Sequence, residues 1–327
     1  MRSANWPISL RRGLLVLAIA SGSFACSPGI ATNPPTGNVP IAPWSPRPAL
    51  RGIDLSPKTP LSLADYAALD VVQPGSVVLF SAQLGDGDPL RWIGPDPQLQ
   101  RWLRAHQDVR QIVRMWPVRG PDEPRRLAQR IVALHARYPW IQWFQIANEP
   151  DIEWPATTWQ AIGEWSEEVW WHVERFRQTH PGARDVRLLF PPLAQGSPMD
   201  PEGVGYDVLR SAIELYLEHG DGLAGHEYWD RGDVYLVEDR WPVWLRDRLP
   251  GVPFFVTECG RRPLVDNGPL PDAELGHELV AFSRRTRAEV VAPFVLSSPG
   301  GSFDQYDFVD RHGYLRPHLF VWGALGP

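Results

Sequence analysis

Short apolar runs alternate along residues 50–327 with stretches that mix apolar and polar residues. The apolar runs show no regular polar alternation, which is typical of parallel β-strands covered on both faces. We therefore predict eight strands, at residues 51–55, 76–81, 109–116, 141–147, 186–190, 223–228, 252–257 and 290–297.

The mixed stretches between these strands have the pattern of amphipathic helices. In the clearest of them, residues 158–179, the apolar residues recur at helical spacing. They are Trp159, Ile162, Val169, Trp170, Val173 and Phe176. The other predicted helices cover residues 64–69, 97–106, 123–137, 206–219, 241–249, 273–287 and 316–325.

This order of elements predicts an α/β fold with one (β/α)8 TIM barrel over residues 50–327. Alternating strands and helices form parallel βαβ units, and eight such units in about 250 residues are typical of the closed barrel. A doubly wound open sheet is the alternative fold. Such a sheet carries a glycine-rich phosphate turn when it binds a nucleotide, and the sequence has neither G-x-G-x-x-G nor a Walker loop.

The first 49 residues lack this alternation of predicted strands and helices. Residues 1–25 combine three arginines with an apolar run too short to span a membrane, which is typical of a signal peptide. Cys26 follows at once, as in a bacterial lipoprotein signal, so we expect it to carry a lipid; ordinary secretion after Ala25 is the alternative. Residues 26–49 are rich in proline and form a predicted linker. We expect an exported protein, either a cell-surface lipoprotein or secreted, with membrane contact only through its N-terminal lipid.

Composition narrows the possible functions. Lys and Arg number 32 against 38 Asp and Glu, a net charge of −6, and nucleic-acid binding proteins usually carry a basic excess. We therefore expect no nucleic-acid partner. Two cysteines are too few for a disulfide scaffold. The sequence also contains 16 tryptophans, enough to offer flat apolar surfaces to a ligand as well as to fill a core.

Two predicted strands end in a glutamate, at the end of a barrel where active sites lie. Glu149 follows the fourth strand and Glu258 follows the seventh. Either one alone could be a solvated loop charge or a helix N-terminal carboxylate. Together they would converge over the barrel mouth, and a converging carboxylate pair is the apparatus of glycoside hydrolysis.

The sequence resembles the clan A glycoside hydrolases, the retaining TIM-barrel enzymes that include cellulase-like and mannanase-like families. The resemblance rests on Asn148-Glu149-Pro150 after the fourth strand, on Glu258 after the seventh and on His226-Glu227-Tyr228 at the sixth.

The resemblance implies that Glu149 is the acid/base and Glu258 the nucleophile. It further implies that Asn148 contacts the sugar 2-hydroxyl and that Tyr228 hydrogen-bonds the nucleophile; we include His226 among the substrate-binding residues. The sequence departs from many cellulase-like members, which have an arginine near the second strand and a histidine near the third. Gln83 and Arg114 stand there instead, and Phe303 is a substitute for the tryptophan often found after the eighth strand.

Three tryptophans lie at or just beyond predicted strands: Trp116, Trp154 and Trp229. The C–H face of a pyranose ring packs well on an indole, so we predict that they bind substrate. The alternative is that they pack the loops around them.

We expect a retaining glycoside hydrolase that acts on an oligosaccharide or polysaccharide, as a monomer and without a cofactor. No H-E-x-x-H or paired-cysteine spacing indicates a metal site. A catalytically silent barrel that binds glycans at the cell surface is an alternative, and a transglycosylase would use the same residues.

Overall fold

The structure, a computed structural model, describes residues 49–86, 93–116, 120–154, 157–194, 204–230, 234, 236–261, 272–298 and 306–324. The predicted signal peptide, Cys26 as the predicted site of lipid attachment, almost all of the linker, and Phe303 lie outside these residues. Within them, no helix is both long enough and apolar enough to cross a membrane.

Eight parallel strands close into a barrel, β1 pairing with β2 and so on around to β8, which pairs with β1. The TIM-barrel prediction is therefore confirmed, and the open-sheet alternative is wrong. The strands are β1 (Leu50–Asp54), β2 (Ser76–Phe80), β3 (Arg110–Arg114), β4 (Trp143–Gln145), β5 (Arg187–Phe190), β6 (Gly222–Trp229), β7 (Phe254–Arg261) and β8 (Val290–Pro293).

Helices connect the strands on the outside of the barrel. They are α1 (Leu63–Val72), α2 (Pro97–Ala105), α3 (Pro124–Arg137), α4 (Pro150–Glu153), α5 (Trp159–Thr179), α6 (Val204–Val208), α7 (Arg210–Glu218), α8 (Val243–Arg246), α9 (Asp272–Ser283) and α10 (Pro317–Gly323). The predicted helix 206–219 is two helices, α6 and α7, and the predicted helix 241–249 contains only the single turn of α8.

Side-chain caps explain where several helices begin. Ser62 accepts a hydrogen bond from the Asp65 backbone N–H, and the Asp65 side chain accepts one from the Ser62 backbone, which together form a capping box at α1. Asp96 and Thr158 cap α2 and α5 in the same general way, each accepting from backbone N–H groups of the first turn. These caps fix the points at which the chain leaves each loop and enters a helix.

The core has two layers, as a closed barrel requires. A small cluster fills the inside of the barrel, where Trp143 packs edge-on against Phe255 at a ring-centroid distance of 4.7 Å. The larger cluster lies between strands and helices and contains most of the buried apolar residues. Strands enclosed by both layers have little need for polar alternation, which is why their sequences read as continuous apolar runs.

The register of the barrel is irregular beside the predicted catalytic residues. The β6–β7 pairing shifts between Gly225 and His226, and the β7–β8 pairing shifts between Val256 and Cys259. A bulge re-aims the side chains that follow it. After the first shift His226 lies opposite Glu258, and β7 continues through Glu258 to Arg261 instead of ending at Thr257.

Candidate active site

The two predicted catalytic glutamates lie close together at the C-terminal mouth of the barrel. Glu149 directly precedes α4, and Glu258 lies within β7. One carboxylate oxygen of each, together with Nδ1 of His226, lie within 4.8 Å of one another. The side chains are 16% and 9% exposed, so both carboxylates face a largely desolvated space that still opens to solvent.

His226 joins the two carboxylates. Its Nδ1 lies 2.8 Å from Oε1 of Glu149, in hydrogen-bonding contact, and 3.5 Å from Oε2 of Glu258. The ring is fully buried, so packing limits its movement. This contact fixes the orientation of the Glu149 carboxyl group.

Two further groups donate hydrogen bonds to Glu258. Arg114 Nη1 donates to Oε1 at 2.5 Å, and the Tyr228 hydroxyl donates to Oε2 at 2.8 Å. Burial by itself raises the pKa of Glu258. His226, Arg114 and the Tyr228 hydroxyl outweigh burial, so the pKa lies below its usual value and the carboxylate is held in its ionised form.

A third carboxylate, that of Asp54, also contacts Arg114. Nη2 of Arg114 lies 3.1 Å from Oδ2 of Asp54, which is the last residue of β1 and is fully buried. Burial raises the pKa of Asp54 well above its usual value; the negative charge of Glu258 adds to this, and Arg114 opposes it. Burial disfavours the cation of Arg114, but the two carboxylates more than compensate and raise its pKa.

A fourth carboxylate, that of Glu153, accepts hydrogen bonds from two of the predicted substrate-binding residues. Oε1 of Glu153 accepts a hydrogen bond from Asn148 Nδ2 at 2.6 Å, and Oε2 accepts one from Trp116 Nε1 at 2.9 Å. Burial raises the pKa of Glu153; these two hydrogen bonds lower it, and the charges of Glu149 and Glu258 raise it further. Glu153 therefore fixes both the amide of Asn148 and the ring of Trp116.

Aromatic side chains surround the carboxylates. Trp116 is half-buried beside Phe80, with a ring-centroid distance of 5.3 Å. Phe294, the residue after β8, is half-buried and packs edge-on against Tyr228 and Tyr306. Phe294 was not predicted as a site residue, because the predicted eighth strand ran past it to residue 297.

The prediction that Trp154 and Trp229 are sugar platforms is wrong. Trp229 is fully buried on the outer side of β6, where its ring stacks on Phe282 and its Nε1 donates to Glu278 at 2.9 Å. Trp154 is 5% exposed and packs edge-on against Trp165 of α5. Both rings are covered by protein, and the packing alternative holds for them.

Glu149, His226 and Glu258 form the one set of metal-ligating atoms this close together among the residues that the structure describes. Both oxygens of Glu258 already accept hydrogen bonds, one of them from the positively charged Arg114. A metal ion would have to share a carboxylate with a fixed guanidinium, which is electrostatically unfavourable. We therefore assign no metal to these three residues.

The roles of Asp54 and Glu153 were not predicted from the sequence, where Arg114 stood out only as a departure from the family pattern. A signal was present for two of them, because Asp54 and Arg114 are charged residues at the C-terminal ends of their strands. No such signal marks Glu153, which contacts Asn148 only because the chain turns into α4 after Glu149.

Neither a protein-family model nor a curated protein sequence matches the chain. Solved structures do match, and glycoside hydrolases are prominent among them. A glucosidase from Croceicoccus marinus has a TM-score of 0.61 at 10% identity over 84% of this chain. The match spans 66% of the glucosidase, slightly less than two thirds of its length.

Two further neighbours are similar over most of both chains. A β-mannanase from Streptomyces thermolilacinus, solved with mannohexaose, has a TM-score of 0.51 at 14% identity, over 80% of this chain and 82% of its own. A family 10 endoxylanase retrieved from a sugarcane soil metagenome has a TM-score of 0.52 at 13% identity, over 85% and 96%. At these sequence identities the structural similarity establishes the fold alone.

Proposed function

We propose that the protein is a retaining glycoside hydrolase that acts on an oligosaccharide or polysaccharide. One observation carries the proposal: an oxygen of Glu149, which follows β4, lies within 4.8 Å of an oxygen of Glu258, which lies in β7. Retaining glycosidases hold their two carboxyl groups about 5–5.5 Å apart, whereas inverting ones need about 6.5–9.5 Å to admit a water molecule. The short separation supports direct attack by one carboxylate.

The surroundings of the glutamates support different roles for them. Glu258 is held ionised by Arg114, Tyr228 and His226, as a nucleophile must be. An oxygen of Glu258 would attack the anomeric carbon while the bond from that carbon to the leaving oxygen breaks.

Glu149, oriented by His226, would give its proton to that leaving oxygen. In the second half of the reaction Glu149 would take a proton from water. The resulting hydroxide would attack the anomeric carbon and release Glu258 as a carboxylate, so that both groups return to their starting states.

The remaining residues of the mouth suit a sugar ring. Trp116 and Phe294 offer apolar faces beside the carboxylates, and Asn148 lies next to Glu149 with its amide already oriented. The solved neighbours include a glucosidase, a xylanase and a mannanase, which supports a glycoside substrate without selecting one sugar.

Export and lipid attachment at Cys26 are also proposals, and they rest on the sequence alone. Palmitate labelling of the wild-type chain and of Cys26→Ser tests them. We expect label in the wild type and none in the variant. Equal labelling, or none in either, contradicts lipid attachment and leaves simple secretion.

Activity of the purified chain tests the proposed function. The panel should contain β-glucans, mannans, xylans and aryl glycosides, each assayed with the wild type and with Glu149→Gln and Glu258→Gln. We expect at least one substrate to be cleaved by the wild type and by neither variant at a comparable rate. Binding to a glycan without cleavage of any substrate would contradict hydrolysis and support the silent glycan-binding alternative.

A further inference from the structure

Asp54 and Glu258 use the same guanidinium. Arg114 donates from Nη1 to Glu258 and from Nη2 to Asp54, at 2.5 Å and 3.1 Å, and its side chain is 2% exposed. Nη2 also lies 3.3 Å from the backbone carbonyl of Thr257. The arginine is therefore fixed between the ends of β1, β3 and β7.

A single guanidinium pairs with both carboxylates. If both are ionised, Arg114 faces two anions, and both carboxylates are at least nine-tenths buried. Among the described residues, Oδ1 of Asp54 has no hydrogen-bond partner, so solvation of this carboxyl group by the protein depends largely on Arg114. A second buried negative charge is unfavourable unless something pairs with it.

We propose that Asp54 is a positioning residue that serves as the second anion of Arg114, neutral while Glu258 is ionised and ionised when Glu258 is neutral. In the covalent intermediate that the proposed function requires, Glu258 is an uncharged ester. Asp54 would then release its proton to solvent water and pair with Arg114 as a carboxylate, which keeps the guanidinium in place. When Glu258 is released as a carboxylate, Asp54 would take up a proton from water again.

Other charged or titratable groups face this cluster, and they constrain the test. The groups that face Glu258 lie on β3, on β6 and in the segment after β4, and they are Arg114, His226, Tyr228, Glu149 and Glu153. The groups that face Asp54 lie on β3 and β7, and they are Arg114, Glu258 and Cys259. A variant that neutralises Glu258 alone leaves all of the others in place.

Carbon-13 NMR of the purified chain, labelled at the aspartate carboxyl carbon, tests the proposal without requiring activity. The Asp54 signal is identified by its absence from Asp54→Asn. We expect Asp54 to titrate above its usual range in the wild type and at least about one pH unit lower in Glu258→Gln, because a nearby negative charge has been removed.

Asp221 provides a matched control within the same spectra. It is also a fully buried carboxylate paired with an arginine, Arg177, but it lies before β6 at the opposite end of the barrel. We expect its carboxyl carbon signal, assigned with Asp221→Asn, to be unaffected by Glu258→Gln because the two residues lie far apart in the barrel. If Glu258→Gln folds poorly by circular dichroism, Glu258→Ala makes the same measurement.

An Asp54 titration that is unchanged in the Glu258 variants overturns the proposal, as does an Asp221 signal that moves equally. The result is separable from the proposed function. If the Asp54 titration shifts in a protein that cleaves no glycoside, the proposal for Asp54 and Arg114 is supported and the glycosidase assignment is wrong. If the protein cleaves a glycoside and the Asp54 titration does not shift, the glycosidase assignment is supported and the proposal for Asp54 is wrong.

Discussion

Arg114 donates to Glu258 across the barrel mouth at 2.5 Å, although 144 residues separate the two in the chain. The contact joins β3 to β7 and places a fixed positive charge on the proposed nucleophile. Together with His226 and the hydroxyl of Tyr228, Arg114 outweighs the effect of burial and keeps Glu258 ionised.

The acid limb of activity should report the charge state of Glu258. Its pKa lies below the usual value, so kcat/KM should fall only as the pH drops through that lowered pKa. Ionisation of Glu258 is more favourable in the folded chain than in the unfolded chain. Its contribution to the free energy of unfolding is therefore lost as the pH falls through the lowered pKa. Tyr228→Phe removes one donor and should move the acid limb upward by about one pH unit.

The measurement is kcat/KM against pH for wild type and Tyr228→Phe. Tyr216→Phe is the control, because the buried Tyr216 hydroxyl donates to the Ser166 carbonyl and touches no carboxylate of the site. A limb that moves equally in both variants, or moves downward in Tyr228→Phe, contradicts the role given to Tyr228.

Glu153 should matter for substrate binding although it is not one of the catalytic pair. Glu153→Gln weakens the acceptor that orients Asn148 and Trp116, so we expect kcat/KM to fall about tenfold, as for the loss of a charged hydrogen bond. Steady-state kinetics measures the change. Glu164→Gln makes the same substitution at an exposed position of α5 and should match the wild type.

Trp229 should affect stability and not catalysis. Trp229→Phe loses the hydrogen bond to Glu278 and part of the stacking on Phe282, and we expect a loss of about 1–3 kcal/mol in the free energy of unfolding. Trp116→Phe should instead raise KM. Denaturant unfolding and kinetics of both variants separate the two roles; a raised KM for Trp229→Phe at unchanged stability would restore it as a substrate platform.

Asp151 should make the protein less stable as the pH rises from about 4 to about 6. Burial, with Glu149 acting in the same direction against the hydrogen bond from Ala194 N–H, raises its pKa from 3.8 to about 6. The folded state then binds the proton more tightly than the unfolded state, so stability falls across this interval, by up to about 3 kcal/mol.

Asp151→Asn should remove that loss. The free energy of unfolding, measured at pH 4 and pH 7, should change less in the variant than in the wild type. Asp185→Asn, at an exposed position, serves as the control. Equal changes in all three proteins would show that Asp151 does not carry this pH dependence.

The fold could be predicted from the sequence because most strands are short, largely apolar runs covered on both sides. Glu149 and Glu258 could be found because they follow such runs. Trp229 was wrongly predicted to bind substrate, although the alternation of side chains along a strand would have placed it on the outer face of β6. Tyr228 faces Glu258, so the next residue of β6 points outward to α9.

Asp54 and Arg114 could not be paired from sequence. Their contact depends on the closure of the barrel, which brings β1, β3 and β7 together at one end. Glu153 depends on the short helix α4, whose single turn carries its carboxylate back to Asn148. These contacts are tertiary relationships, and the local sequence around each residue does not identify its partner.

Azide rescue of the two glutamate variants, with product configuration determined by proton NMR, tests the central claim most directly. Glu258→Ala should lose several orders of magnitude in rate, and azide should restore turnover with an inverted product because the anion occupies the vacated space. Glu149→Ala should retain reaction with a good leaving group, and azide should give a product of the original configuration. A wild-type product of inverted configuration, or a Glu258→Ala variant near the wild-type rate, would contradict the account.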